Sequence, residues 1–301
     1  MSKISVELPD GKTYKYIYES GLLYDELILN LVPDKDLKTQ IENILNLDIR
    51  ENDVYLATFP KNGTHWVWEI LGMLKNGRST YDTKTKQSAT LDFQSPELIG
   101  NITSPRILNC HYPCKLTPKG VFNKGVKIVH VMRNPKDVIV SCYYHMKIMA
   151  GELFQLSFQE FLPLMIGDYG TYFFYPWFKY VKEWERFSKK HPDQILNIYY
   201  EDLKENSVRE IKKMDTFLGT GQTGDVIKEI AEACRFKNMK KADAEVKLPE
   251  EFMIKAGRPC LYRLGEVGDW KNHFTLEQNE QVDKWIEENL IETELSFKYT
   301  L

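Results

Sequence analysis

The chain reads as an α/β protein in three layers, a central parallel sheet with helices on both faces. Runs rich in β-branched and aromatic residues, at 54–59, 126–132 and 195–200, alternate with stretches of helical period. The first run passes into its helix through a short polar turn, Phe59-Pro60-Lys61-Asn62-Gly63-Thr64-His65-Trp66, broken by Pro60 and Gly63. His111, Arg133 and Glu201-Asp202 stand at the carboxyl ends of predicted strands, where parallel sheets place their ligands.

Size and composition favour one domain over residues 1–301. A chain of 301 residues, 43% hydrophobic and 13% aromatic, buries a large core. Lys and Arg number 40 against 43 Asp and Glu, so a net charge of -3 offers no general attraction to nucleic acid or an anionic membrane. The first seven residues hold no apolar signal core, and no run of about eighteen apolar residues appears, which makes a cytoplasmic protein the expectation. Five cysteines without CxxC spacing suggest neither a disulfide framework nor a zinc site, and no metal is expected.

The elements follow in order. Residues 1–30 alternate around Asp10-Gly11 and Ser20-Gly21, as a peripheral hairpin does. A surface helix is read at 34–47 after Pro33, then the strand at 54–59, the polar turn, and a helix from Trp66 that ends at Asn76-Gly77. A strand at 106–111 stops at Tyr112-Pro113. The strand at 126–132 delivers Arg133, and Asn134-Pro135 starts a helix carrying Ser141 and His145. Residues 172–191 are strongly aromatic, mostly as core, with one or two rings left for an apolar pocket. The strand at 195–200 runs into a helix through about residue 218. A glycine-punctuated segment, 257–271, precedes a last helix at 276–289. His130 reads as a core or second-layer residue, and His145 and His273 as helix or loop surface groups.

The turn at 59–66 aims backbone N–H groups and a helix N-terminus at one point, where Lys61 and Thr64 add a cation and a hydroxyl. That is a P-loop-like socket for an anion, although in ATP-binding loops of the G-x-x-x-x-G-K-[ST] type the lysine follows the second glycine, and here it precedes it. Arg133 and Ser141 suit a second phosphate better than a metal. Asp202 leaves a nucleotide kinase as a weaker alternative.

These residues carry a resemblance. The turn is similar to the Y-P-K-S-G-T-T-W loop of the cytosolic sulfotransferases. Arg133-Asn134-Pro135-Lys136-Asp137 with Ser141 resembles their R-N-x-K-D-x-x-x-S segment, Tyr200-Glu201-Asp202-Leu203 their Y-E-D-[LM], and Arg263 to Lys271 their R-K-G-x-x-G-D-W-K. The motifs stand in the family's order from about residue 50 to the end.

The resemblance implies a sulfotransferase that moves a sulfuryl group from 3'-phosphoadenosine 5'-phosphosulfate (PAPS) to a hydroxyl or amine of a small, apolar or aromatic acceptor, leaving 3'-phosphoadenosine 5'-phosphate (PAP). It implies that Lys61, Asn62, Gly63, Thr64, His65 and Trp66 hold the 5'-phosphosulfate, with Lys61 neutralising the bridging oxygen, and that Trp66 and Phe236 stack on adenine. It assigns the 3'-phosphate to Arg133, Ser141 and Arg263 near Leu264 and Gly265, further nucleotide contacts to Tyr200, Cys234 and Met239, and the catalytic base to His111. A homodimer contact is implied over residues 271–280. Three positions depart from the family: His65 replaces a threonine, Leu264 a lysine, and Asn109 a lysine two residues before His111. They raise the alternative of a donor-binding protein without turnover.

Overall fold

In the computed structural model, residues 2–7, 13–81, 86–167, 175–245 and 262–301 are described. Strands β1 (Ser2–Glu7), β2 (Thr13–Glu19) and β3 (Leu22–Tyr24) form a peripheral antiparallel sheet in that order. Its inner end is tied to the main body by a 2.6 Å bond between the hydroxyls of Tyr24 and Tyr112. Two helices, α1 (Glu26–Leu29) and α2 (Leu37–Leu45), lead to the central sheet. The helix expected from residue 34 begins only at Leu37: Asp34 and Lys35 have positive φ, and Asp36 caps the backbone N–H of Thr39.

The central sheet is the expected parallel one. Strands β4 (Val54–Thr58), β5 (Ile107–Cys110), β6 (Lys127–Met132) and β7 (Ile195–Tyr199) lie in the order β5-β4-β6-β7. Short α4 (Pro96–Gly100) and α5 (Lys119–Asn123) flank β5. From β4 the chain runs through α3 (Thr64–Asn76) to β5 on one side, and later returns to β6 on the other, followed by α6 (Pro135–Ala150). The crevice beyond the carboxyl ends of β4 and β6 is therefore the topological switch point, where such sheets bind ligands.

Alternation along each strand separates the two cores. Val54, Leu56, Val129 and Val131 pack with α3, α10 (Ser207–Leu218) and α11 (Gly224–Ala233), whereas Tyr55, Ala57, Ile128 and Met132 pack with α6 and α8 (Trp177–Lys190). His130 lies in the second layer, stacked on Trp184 at 5.2 Å and bonded through Nδ1 to Asn197 at 2.9 Å. Helices α7 (Phe158–Ile166), α9 (Tyr200–Glu205), α12 (Phe236–Glu245) and α13 (Leu276–Leu290) complete the shell, and none of the described helices is long and apolar enough to cross a membrane. The single helix read from residue 200 to 218 is broken, because the Asn206 side chain accepts the Arg209 N–H and starts α10 anew. Phe173 and Phe174, and residues 246–261 of the C-terminal segment, lie outside the described residues.

Arg106, read as the first residue of a strand, is instead the anchor between β4 and β5. Its guanidinium grips both carboxylate oxygens of Asp53 and donates to the Asp48 carbonyl at 2.8 Å, with both partners fully buried. Removing one partner strands a buried charge. Asp53→Ala should therefore destabilise the fold by about 3–5 kcal/mol in urea titration, and a loss near zero would assign the anchoring elsewhere.

Candidate active site

The turn after β4 is held in an unusual backbone. Lys61 has φ +69° and Gly63 φ +101°. A left-handed lysine is strained, and such strain persists where the surroundings over-determine it. Here Asn62 does so: fully buried, it donates through Nδ2 to the Val131 carbonyl at 3.0 Å, and its backbone N–H to the Phe59 carbonyl at 3.2 Å. Gly63 is required on two counts, since a Cβ would also stand 2.8 Å from the Tyr200 ring. As N-cap of α3 it offers no side-chain bond, so the first-turn N–H groups remain for an anion.

A second pole lies across the switch point. Arg133, only 7% exposed, donates to the carbonyls of Lys61 at 3.3 Å and Glu266 at 2.9 Å and lies 4.3 Å over the Tyr200 ring, while its Nε has no partner. The Trp66 indole N–H is likewise buried and unpartnered. Asp137, in the first turn of α6, accepts the backbone N–H groups of Gly268 at 2.8 Å and Trp270 at 3.1 Å, which brings the C-terminal loop beside Arg133. From that loop Arg263 lies 4.6 Å over Tyr144 and pairs with Asp269. Gly265 has φ +73°, and a Cβ there would overlap the Phe236 ring.

The two poles share one cavity of about 470 Å³. Its walls include Lys61, Gly63, Thr64, His65, Trp66, Arg133, Ser141, Tyr200, Cys234, Phe236, Met239, Arg263, Leu264 and Gly265. Of the residues expected at the donor site, only Asn62 lies off it; its role is to hold the turn. Asp202 points elsewhere, bonded to Lys298 at 2.8 Å, which leaves the kinase reading without its carboxylate.

His111 reaches the cavity through Thr58 and Thr64, whose hydroxyls are 2.9 Å apart. Its Nδ1 lies 2.8 Å from the Thr58 carbonyl, which only accepts, so Nδ1 carries the proton and Nε2 keeps its lone pair. Burial, with the charges of Lys86 and Lys61, pushes the imidazole down to about 3. Asp92, fully buried, accepts the His111 backbone N–H at 3.1 Å and fixes the strand end. The Cys110 thiol also donates to Asp92, at 3.7 Å.

His145 is not the surface group expected. It lines the cavity one turn beyond Ser141, and the Lys61 ammonium, a donor only, lies 3.4 Å from its Nδ1. His145 therefore holds Lys61 as a neutral ring, and burial keeps it and His65 well below the ordinary imidazole range. His65 stands edge-on to Tyr262 at 6.0 Å. His273 is also half-buried, bonded to Asp269 and Tyr144. Sequence reasoning missed Asp92 and Lys86, which come from a loop without a recognisable motif. His145 had a signal, the i+4 spacing from Ser141.

Known proteins resemble this chain in sequence and fold. The sulfotransferase domain family matches residues 51–294. The chain belongs to the sulfotransferase family. It is 34% identical to human Sulfotransferase 1E1 over 279 residues, covering 88% of this chain and 92% of that protein. It is likewise 34% identical to dog Sulfotransferase 1B1, over 85% of this chain and 90% of the other. The fold is shared with mouse sulfotransferase SULT7A1 complexed with PAP, at TM-score 0.73 and 24% identity over 93% and 96% of the two chains. A retinol dehydratase complexed with androsterone and PAP gives 0.73 at 22% identity, over 94% and 91%.

In this sulfotransferase His111 should remain a neutral Nδ1–H tautomer from about pH 8 to about pH 5, checked by nitrogen-resolved nuclear magnetic resonance. A titration within that range would refute the buried hydrogen-bonded geometry. Because the unfolded chain binds this proton near 6.5 and the native one only near 3, the site loses stability as pH falls between those values. The acid slope of the unfolding free energy should accordingly be shallower in His111→Asn.

Proposed function

We propose that this sulfotransferase uses PAPS as donor and passes the sulfuryl group in line to the hydroxyl or amine of a small apolar or aromatic acceptor, with His111 as base. The observation that carries the reading is the pair of anion-binding poles on one cavity, with the base joined to it through Thr58 and Thr64. A donor phosphorylated at both ends needs two such poles. The unclaimed polar groups fit it: the uncapped α3 N-terminus and Lys61 suit the 5'-phosphosulfate, while Arg133, Ser141 and Arg263 suit the 3'-phosphate. Trp66 and Phe236 offer faces for the adenine.

The chemistry follows from protonation. The acceptor's proton goes to Nε2 of His111, while Nδ1–H stays bonded to the Thr58 carbonyl and fixes the ring. Lys61, released from His145, neutralises charge on the leaving oxygen. An apolar acceptor is supported by the androsterone held in the retinol dehydratase.

Release of PAP from PAPS across a broad panel of phenols, alcohols and amines tests the reading, and silence on all of them would sink it. His111→Ala should lower kcat roughly a hundredfold or more with donor affinity retained, and Arg133→Ala should weaken donor binding in calorimetry. Retained turnover in the first, or unchanged affinity in the second, would move those roles elsewhere. The reading also takes residues 1–301 as one domain and 271–280 as a homodimer contact. Leu276, 77% exposed at the start of α13, supports the contact, and Leu276→Glu should shift a dimer to monomer in light scattering.

A further inference from the structure

We propose that His273 is a positioning residue of the donor site: by joining the Tyr144 hydroxyl to the Asp269 carboxylate, it closes a circuit of four side chains that fixes Arg263 for the 3'-phosphate. This rests on the donor assigned above. Arg263 and Tyr144 line the cavity, whereas Asp269 and His273 are not among its walls. His273 therefore acts on the ligand through its neighbours.

Arg263 has two supports. Its guanidinium lies 4.6 Å over the Tyr144 ring and donates through Nη2 to Oδ2 of Asp269. His273 links the two supports to each other, with Nε2 at 3.2 Å from the same Asp269 oxygen and Nδ1 at 3.3 Å from the Tyr144 hydroxyl. Proton placement follows. A carboxylate only accepts, so Nε2 carries the proton; in the neutral ring Nδ1 then keeps its lone pair and accepts from the Tyr144 O–H. Asn272 donates to the other Asp269 oxygen at 3.1 Å, so both oxygens of the carboxylate are engaged.

Local sequence builds the circuit. Gly268, at φ +89°, starts the turn Asp269–Asn272, and the His273 N–H closes it on the Trp270 carbonyl at 3.0 Å, which sets Asp269 and His273 against one another. Tyr144 comes from α6, three residues after Ser141 and on the same helical face. The circuit thus ties the loop that bears Arg263 to the helix that bears Ser141, the two expected partners of the 3'-phosphate. A free arginine side chain loses rotamer freedom when it binds. Holding it in place beforehand removes that cost from the binding step. The bond to Asp269 uses Nη2, and the rest of the guanidinium fork is left to meet a phosphate.

Adenosine 5'-phosphate lacks the 3'-phosphate, so calorimetry with PAP and with that nucleotide isolates this pole. His273→Leu should weaken PAP roughly five- to tenfold and leave adenosine 5'-phosphate within about twofold. His273→Gln, whose amide can donate to Asp269 and accept from Tyr144, should recover most of the PAP affinity. Tyr144→Phe, the milder change, keeps the ring under Arg263 and removes only the hydroxyl; it should reproduce part of the loss and add nothing in the His273→Leu background. Equal weakening of both nucleotides would make His273 a prop of the whole loop and the proposal wrong, and unchanged PAP affinity or full additivity of the two substitutions also overturns it. Wild-type protein that binds PAP no more tightly than adenosine 5'-phosphate would instead overturn the donor reading beneath it.

Discussion

Everything functional here depends on β4 being hydrogen-bonded on both sides to parallel strands. Val54 pairs with Ile107 on one flank and Lys127 on the other, and the chain leaves β4 and β6 in opposite directions. The loops after these strands must then part, opening a crevice at their carboxyl ends. Lys61 stands on one lip and Arg133 on the other, close enough for the arginine to donate to the Lys61 carbonyl. Asn62, bonded to the end of β6, keeps the lips in register. The strain of a left-handed lysine is the cost of turning its ammonium inward.

The electrostatic character of the site is that of neutral rings beside fixed cations. His65, His111 and His145 are all held uncharged by burial, and Lys61 and Lys86 reinforce this. A site so arranged offers its lysines and arginines to anions, and keeps the Nε2 lone pair of His111 available near neutral pH. Fixed cations and uncharged imidazoles in one cluster are reconciled by desolvation.

Much of this was legible in the sequence, for a physical reason. Strand, turn and helix are local, so the β4–α3 and β6–α6 junctions and their charged residues could be read directly, as could the Asn134 cap and the Gly77 stop. Strand 195–200 and its following helix were legible in kind but not in continuity, because one asparagine cap at Asn206 outweighed the apolar period. Lys86 and Asp92 were illegible: their positions follow from a loop laid on the edge of β5, a pairing that no periodicity encodes. Arg106 was misread as a strand residue because its partner, Asp53, lies in a segment that looked like a simple connection.

Asp137 gives the site a property of another kind. By holding the N–H groups of Gly268 and Trp270 while also lying 3.8 Å from Arg133, it makes the first turn of α6 and the C-terminal loop one small cooperative unit. Apolar contacts flank these polar ones, with Phe274 packed against the core and against the rings of Phe158 and Trp270. The wall carrying Arg263 and Gly265 is thereby fixed to the helix that follows Arg133, so both sides of the second anion pole are held by one buried carboxylate.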